Sequence, residues 1–140
     1  MADEHTLQFE TALAIPMTVG DTTGLERGAL LQMYSPMTAS GTLTVNGVCA
    51  GVVAEEKIAS DGKTMAPIYR EGYFRAIASG SITMGDGLIM AGPANPNQLM
   101  SAPSSDTVSG QNIVGLALED ATTTSGFIYQ LKPIINTSGV

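Results

Sequence analysis

The chain has one cysteine, one histidine and no tryptophan. With Cys49 alone, no disulfide can form within the chain. Val48 and Ala50 flank that thiol and no basic residue lies near it in sequence, so it reads as a buried, inert side chain rather than a nucleophile. A Ser-His-Asp or Cys-His device would have to rest on His5, in a polar N-terminal stretch, with nothing in the sequence to complete it. Positive charge is also scarce: six Lys plus Arg face thirteen Asp plus Glu, a net charge of −7. A nucleic-acid binder needs a basic footprint to displace counterions from phosphates, and a polybasic membrane anchor needs basic residues too. No apolar run approaches the roughly 18–20 residues that cross a bilayer as a helix. The acidic start Met-Ala-Asp-Glu-His does not read as a signal peptide. The expectation is therefore no nucleic acid and no membrane among the partners.

Apolar residues make up 44% of the 140 and charged ones 14%, the reverse of a disordered composition. A chain of this size folds as one domain and buries roughly two-thirds of its unfolded surface. Sixteen glycines and seven prolines, with abundant Thr and Ser, punctuate it at the spacing of a compact all-β barrel or sandwich. Strands are expected over 7–9, 12–18, 29–34, 43–45, 48–54, 64–69, 73–78, 81–84, 88–91, 98–102, 112–118 and 127–135. Asn46-Gly47 reads as a type I′ turn, and 64–69 with 73–78 as a hairpin around Arg70-Glu71-Gly72. The near-continuous apolar run 48–54 is typical of a strand covered on both faces. A turn or two of helix is conceivable over 25–33 and at 55–59, but Gly24 and Gly28 weaken the first. The polar segment 103–110 and the tail 136–140 read as exposed chain with little to hold them.

The two halves echo each other. Gly28-Ala-Leu-Leu-Gln-Met33, Ala50-Gly-Val-Val-Ala-Glu55 and Met65-Ala-Pro-Ile-Tyr69 are followed by Gly87-Leu-Ile-Met90, Val114-Gly-Leu-Ala-Leu-Glu119 and Phe127-Ile-Tyr-Gln-Leu131. Each reads as a strand, an apolar strand with Gly near its start and an acid at its end, and a returning strand. A glycine within a strand marks a bulge or a close backbone approach.

Candidate sites are few. Ser60-Asp61-Gly62-Lys63-Thr64 resembles the end of a phosphate-binding loop, but Lys57 stands where the first glycine must be, so a β-turn is the reading. Glu55-Glu56 and Glu119-Asp120 could hold a hard cation or act as an acid/base pair only if the fold brought them together; solvated turns are preferred. Eight methionines without a shared helical period fit core gaps or a subunit interface. The imperfectly alternating stretch 6–19 is either the first strand of the barrel or an arm that adds a strand to a neighbour's sheet, dividing the chain into 1–19 and 20–140.

Five segments carry a family resemblance: Gly24-Leu-Glu-Arg-Gly-Ala-Leu-Leu31, Ala50 through Lys63, Tyr69-Arg-Glu-Gly-Tyr-Phe74, Ile82-Thr-Met-Gly-Asp-Gly87 and Ile113 through Asp120. In these the chain resembles the small capsid decoration (cement) proteins of tailed double-stranded DNA viruses. The resemblance implies a β-rich domain on the outer face of the virion, bound to the shell of the major capsid protein. It implies clusters such as homotrimers at capsomer junctions, and no catalysis, metal or cofactor. Contacts are expected from the arm (Thr6, Leu7, Phe9, Leu13, Ile15, Met17) and from exposed loop residues (Tyr34, Met37, Tyr73). The rival is a carbohydrate- or ligand-binding, adhesin- or lectin-like β-domain, which 5% aromatics and no tryptophan disfavour.

Overall fold

Eleven strands occur among the described residues: β1 (Thr6–Phe9), β2 (Ile15–Thr18), β3 (Leu30–Ser35), β4 (Thr38–Ser40), β5 (Cys49–Val53), β6 (Met65–Tyr69), β7 (Gly72–Ile77), β8 (Gly87–Met90), β9 (Leu99–Ser101), β10 (Gln111–Ala117) and β11 (Gly126–Asn136). The structure, a computed structural model, describes residues 3–20, 23–102 and 111–136. No helix occurs among them, which removes both helical options: 25–33 is a bridge at Leu25, a turn and then strand from Leu30, and 55–59 holds the Lys57 bridge between a bend and a turn. The expected loose segment 103–110 lies outside the described residues, as does the tail 136–140 apart from Asn136, which ends β11 paired with Gln111.

The fold is all-β, with two sheets. Strands β2, β4, β3, β5 and β6 close into a barrel, and β1, β7, β11, β10, β8 and β9 form the second sheet in that order. The echo in the sequence is present in space. Within the second sheet, β7-β11-β10-β8-β9 repeats the barrel order β2-β6-β5-β3-β4. Register is kept as well. Ile15 and Met17 face Ile68 and Ala66, as Phe74 and Ala76 face Tyr129 and Phe127. Leu31 faces Gly51 as Leu88 faces Gly115. The bridge Leu25–Lys57 recurs as Ile82–Ala121, and the parallel closure Thr18–Thr38 recurs as the single bridge Ala78–Leu99. The second sheet is thus rolled like the first, into a second, open barrel joined at its edges by that one bridge.

The repeated glycines have one cause. A Cβ on Gly51 would collide with the Tyr69 carbonyl oxygen, and one on Gly115 with that of Gln130. Each sits at a register shift where the neighbouring backbone comes close.

Alternation sorts the side chains of the first barrel. Leu31, Ala50, Val53, Ala66 and Ile68 point inward with Met17. Leu30, Cys49 and Val52 point outward, yet are buried against Phe74, Tyr129 and Leu131 of the second barrel. The two-sided burial expected of 48–54 holds for Cys49–Val53, with the second barrel as the outer cover; Val48 is exposed and Ala54 half-buried. Full burial of side chains such as Leu30 and Val52 stabilises by about 1.5–3 kcal/mol each.

Several local expectations are corrected. Strands β6 and β7 do not form a hairpin: β6 pairs with β2 and β5, and β7 with β1 and β11. The link Arg70-Glu71 instead carries the chain from one barrel to the next, fastened by Arg70 Nη1 donating to the Cys49 and Ala50 carbonyls at 3.0 and 2.9 Å. Residues 43–45 are not a strand. The turn there has Val45 and Asn46 at its centre, closed by Gly47 N donating to Thr44 O; only Asn46 has positive φ, unlike a type I′ turn. Residues 81–84 contribute one bridge rather than a strand. The short β4 is an addition, since Pro36-Met37 before it reads as loop.

Prediction: Gly51→Ala and Gly115→Ala each destabilise by about 1–3 kcal/mol through overpacking against a neighbouring backbone. Urea unfolding checks this, and similar losses at the two positions would confirm their equivalence.

Candidate interaction surface

Residues 3–9 strap the two barrels together. His5 N donates to Gly28 O of the first barrel at 2.7 Å, while its ring reaches into the second, with Nε2 2.7 Å from Asn97 O and Nδ1 2.6 Å from Tyr129 Oη. A carbonyl can only accept, so Nε2 carries the proton and Nδ1 accepts from the tyrosine hydroxyl. Asn97, held at φ 66°, returns the link by accepting Leu30 N on Oδ1 at 2.9 Å. Asn46 makes a second stitch: its Oδ1 and carbonyl oxygen accept from Asn112 N and Nδ2 at 2.8 and 2.9 Å. Burial pushes His5 down to about 4, so the ring is neutral near pH 7. Local sequence carries no sign of this role, because the ring's partners lie 92 and 124 residues away.

The other chemistry-bearing groups are structural. Cys49 is 3% exposed and burial pushes its thiol up to about 12, as an inert cysteine requires. Segment 60–63 is a turn in which Asp61 Oδ1 accepts Lys63 N and Lys57 Nζ at 2.9 and 3.2 Å. The acidic pairs stay apart, one on each barrel. Glu119 Oε1 accepts Ile128 N and Asp120 Oδ1 accepts Met84 N, at 2.9 and 2.8 Å. Among the described residues no three of His, Cys, Asp and Glu are grouped to hold a metal ion. An open groove of about 790 Å³ runs between the strap and the first barrel, and includes Glu10, Arg27, Glu55 and Tyr69. Its Tyr69 hydroxyl already donates to Glu10 Oε2 at 2.6 Å.

The residues expected to make contacts fall into four places. Thr6, Phe9 and Tyr73 come together on the outer face of the second barrel, where Thr6 pairs with Arg75 and the Phe9 and Tyr73 rings meet edge to face at 6.3 Å; Tyr73 is thus a half-buried residue of β7 and not an exposed loop residue. Leu7 and Leu13 line the groove, with Ile15 exposed on the adjoining β2. Tyr34 and Met37, 65% and 51% exposed, stand at the β3–β4 turn, beside exposed Met65 across Thr18. Met17 is a correction: it faces inward from β2 and fills the first core, offering no contact surface. Sequence reasoning missed Leu116 and Leu118, both exposed on or just after β10, because 112–118 reads like a second fully covered strand.

No protein-family model matches the chain, and no curated protein is significantly similar to it. A solved structure is similar in fold. The crystal structure of the head fiber gp8.5 N base in bacteriophage phi29 matches 84% of this chain and 93% of that one, with a TM-score of 0.53 and 15% sequence identity. At that identity the likeness is one of fold.

Prediction: the unfolded chain takes up a proton on His5 near pH 6.5, and the folded chain only near 4. His5 therefore costs no stability above about pH 6.5 and progressively more as pH falls toward 4, up to about 3 kcal/mol. Urea unfolding at pH 7 and 4.5 should show a larger acid loss for the native sequence than for His5→Gln; equal losses would contradict it.

Proposed function

We propose that this is a structural, non-catalytic decoration (cement) protein. In this reading it binds the outer face of the shell built by the major capsid protein of a tailed double-stranded DNA virus. It steadies the junctions between capsomers, and it acts as a homotrimer on the virion surface. The observation that carries the proposal is the shared fold with a phage head-fiber base over most of both chains. The sequence resemblance, drawn from different evidence, points to the same class. The surface supports the reading too, because what the molecule presents is apolar patches on a rigid double barrel. The rim of Tyr34, Met37 and Met65 lies far along the chain from the strap and is our choice for the shell contact. Many copies on one lattice allow each contact to be weak. The acidic chain would seat best on basic patches of the shell.

Prediction: the full-length protein co-sediments with assembled shells and raises their melting temperature, and Tyr34→Ser with Met37→Ser weakens binding about tenfold or more. Retention on a glycan array with no binding to shells would favour the carbohydrate-binding alternative instead.

A further inference from the structure

The internal duplication assigns a partner to a surface that is otherwise unexplained. In the first barrel the outward side chains of β3 and β5, Leu30 and Val52, are buried against the second barrel. Their counterparts in the second barrel, by register, are Gly87 and Leu116. That equivalent face is open. From its Leu116 edge a row of directly opposed residues leads on across β11, β7 and β1 through Gln130 and Tyr73 to Phe9; Leu118, Ile128 and Arg75 follow in the next row. Leu116 is 44% exposed and Phe9 69%, and Arg75 is the one charged residue among those named.

We propose that this face is covered by the first barrel of a second copy of the chain, in an arrangement that repeats the contact between the two barrels within one chain. What covers Leu30 and Val52 in the intact chain is the second barrel, and Phe74 of β7 belongs to the core they share. By register the counterpart of Phe74 is Ile15 on β2, which is exposed, as is neighbouring Leu13. Glu10 lies on the same stretch, so a carboxylate is available to meet Arg75. The contact is face to face and not strand addition. Pro16 and Pro67 oppose each other without amide hydrogens, so the polar edge of Pro16 points away from β6, and it has no N–H to offer an added strand. At the equivalent place on the second barrel Arg75 takes β1. Such a contact is heterologous, with different patches on the two copies, so copies stack head to tail and close into a ring where the rotation allows. The inference rests on the duplication and not on the shell reading.

Sedimentation velocity across a concentration series tests it on the full chain. The native protein should self-associate, and Leu116→Glu and Leu13→Glu should each weaken association about tenfold or more, with thermal melting unchanged. Leu118→Lys serves as a second face variant should Leu116→Glu perturb folding. Because the contact is heterologous, mixing the Leu116→Glu and Leu13→Glu proteins should restore a one-to-one dimer and nothing larger. Undiminished association of the face variants, a mixture that stays monomeric, or a native protein monomeric at every concentration would overturn the proposal. In the last case, loss of shell binding by Leu116→Glu would assign the face to the shell.

Discussion

The structure depends on one contact, the burial of the outward face of β3 and β5 against the second barrel. Small barrels and rolled sheets have little interior, and here each unit is filled by short rows of aliphatic or aromatic side chains. Joining them makes Leu30, Cys49 and Val52 part of a shared core and leaves β5 with no exposed residue. Polar groups then fix the geometry that apolar burial leaves loose. His5 and Asn97 each bond across the junction, and Asn46 and Asn112 do so on the other side. A buried polar group without its partner is costly, so these residues select one relative placement of the barrels.

Much of this was legible in the sequence. Turn chemistry and spacing pointed to the all-β class, the apolar run at 48–54 to a strand covered twice, and the glycines at 51 and 115 marked the repeat. What was illegible is tertiary in origin. Nothing near Arg70-Glu71-Gly72 distinguishes a hairpin turn from a crossing between barrels, because the deciding hydrogen bonds go to Cys49 and Ala50. His5 looks like any residue of a polar terminus until Tyr129 and Asn97 are beside it. Leu116 resembles Val52 in pattern, and only the assembled fold reveals that Val52 has a cover and Leu116 has none.

Duplication explains how one short, acidic chain can offer two contact faces. Two copies of one unit present the same face twice; the fold consumes one and leaves the other outward. Apolar rows at Leu116 and at the Tyr34 and Met37 rim lie on different barrels, so the molecule can meet two neighbours at once. That is the property the proposed decoration role requires.

Thiol labelling tests the asymmetry between the two faces most directly. In the native chain Cys49 reports the covered face, and in a Cys49→Ala background Leu116→Cys reports the open one. The account expects Cys49 to resist a soluble thiol reagent at every protein concentration. It expects the thiol introduced at position 116 to react fast in dilute solution and more slowly as concentration rises. Ready labelling of Cys49 in the folded protein, or labelling at position 116 that is indifferent to concentration, would contradict it.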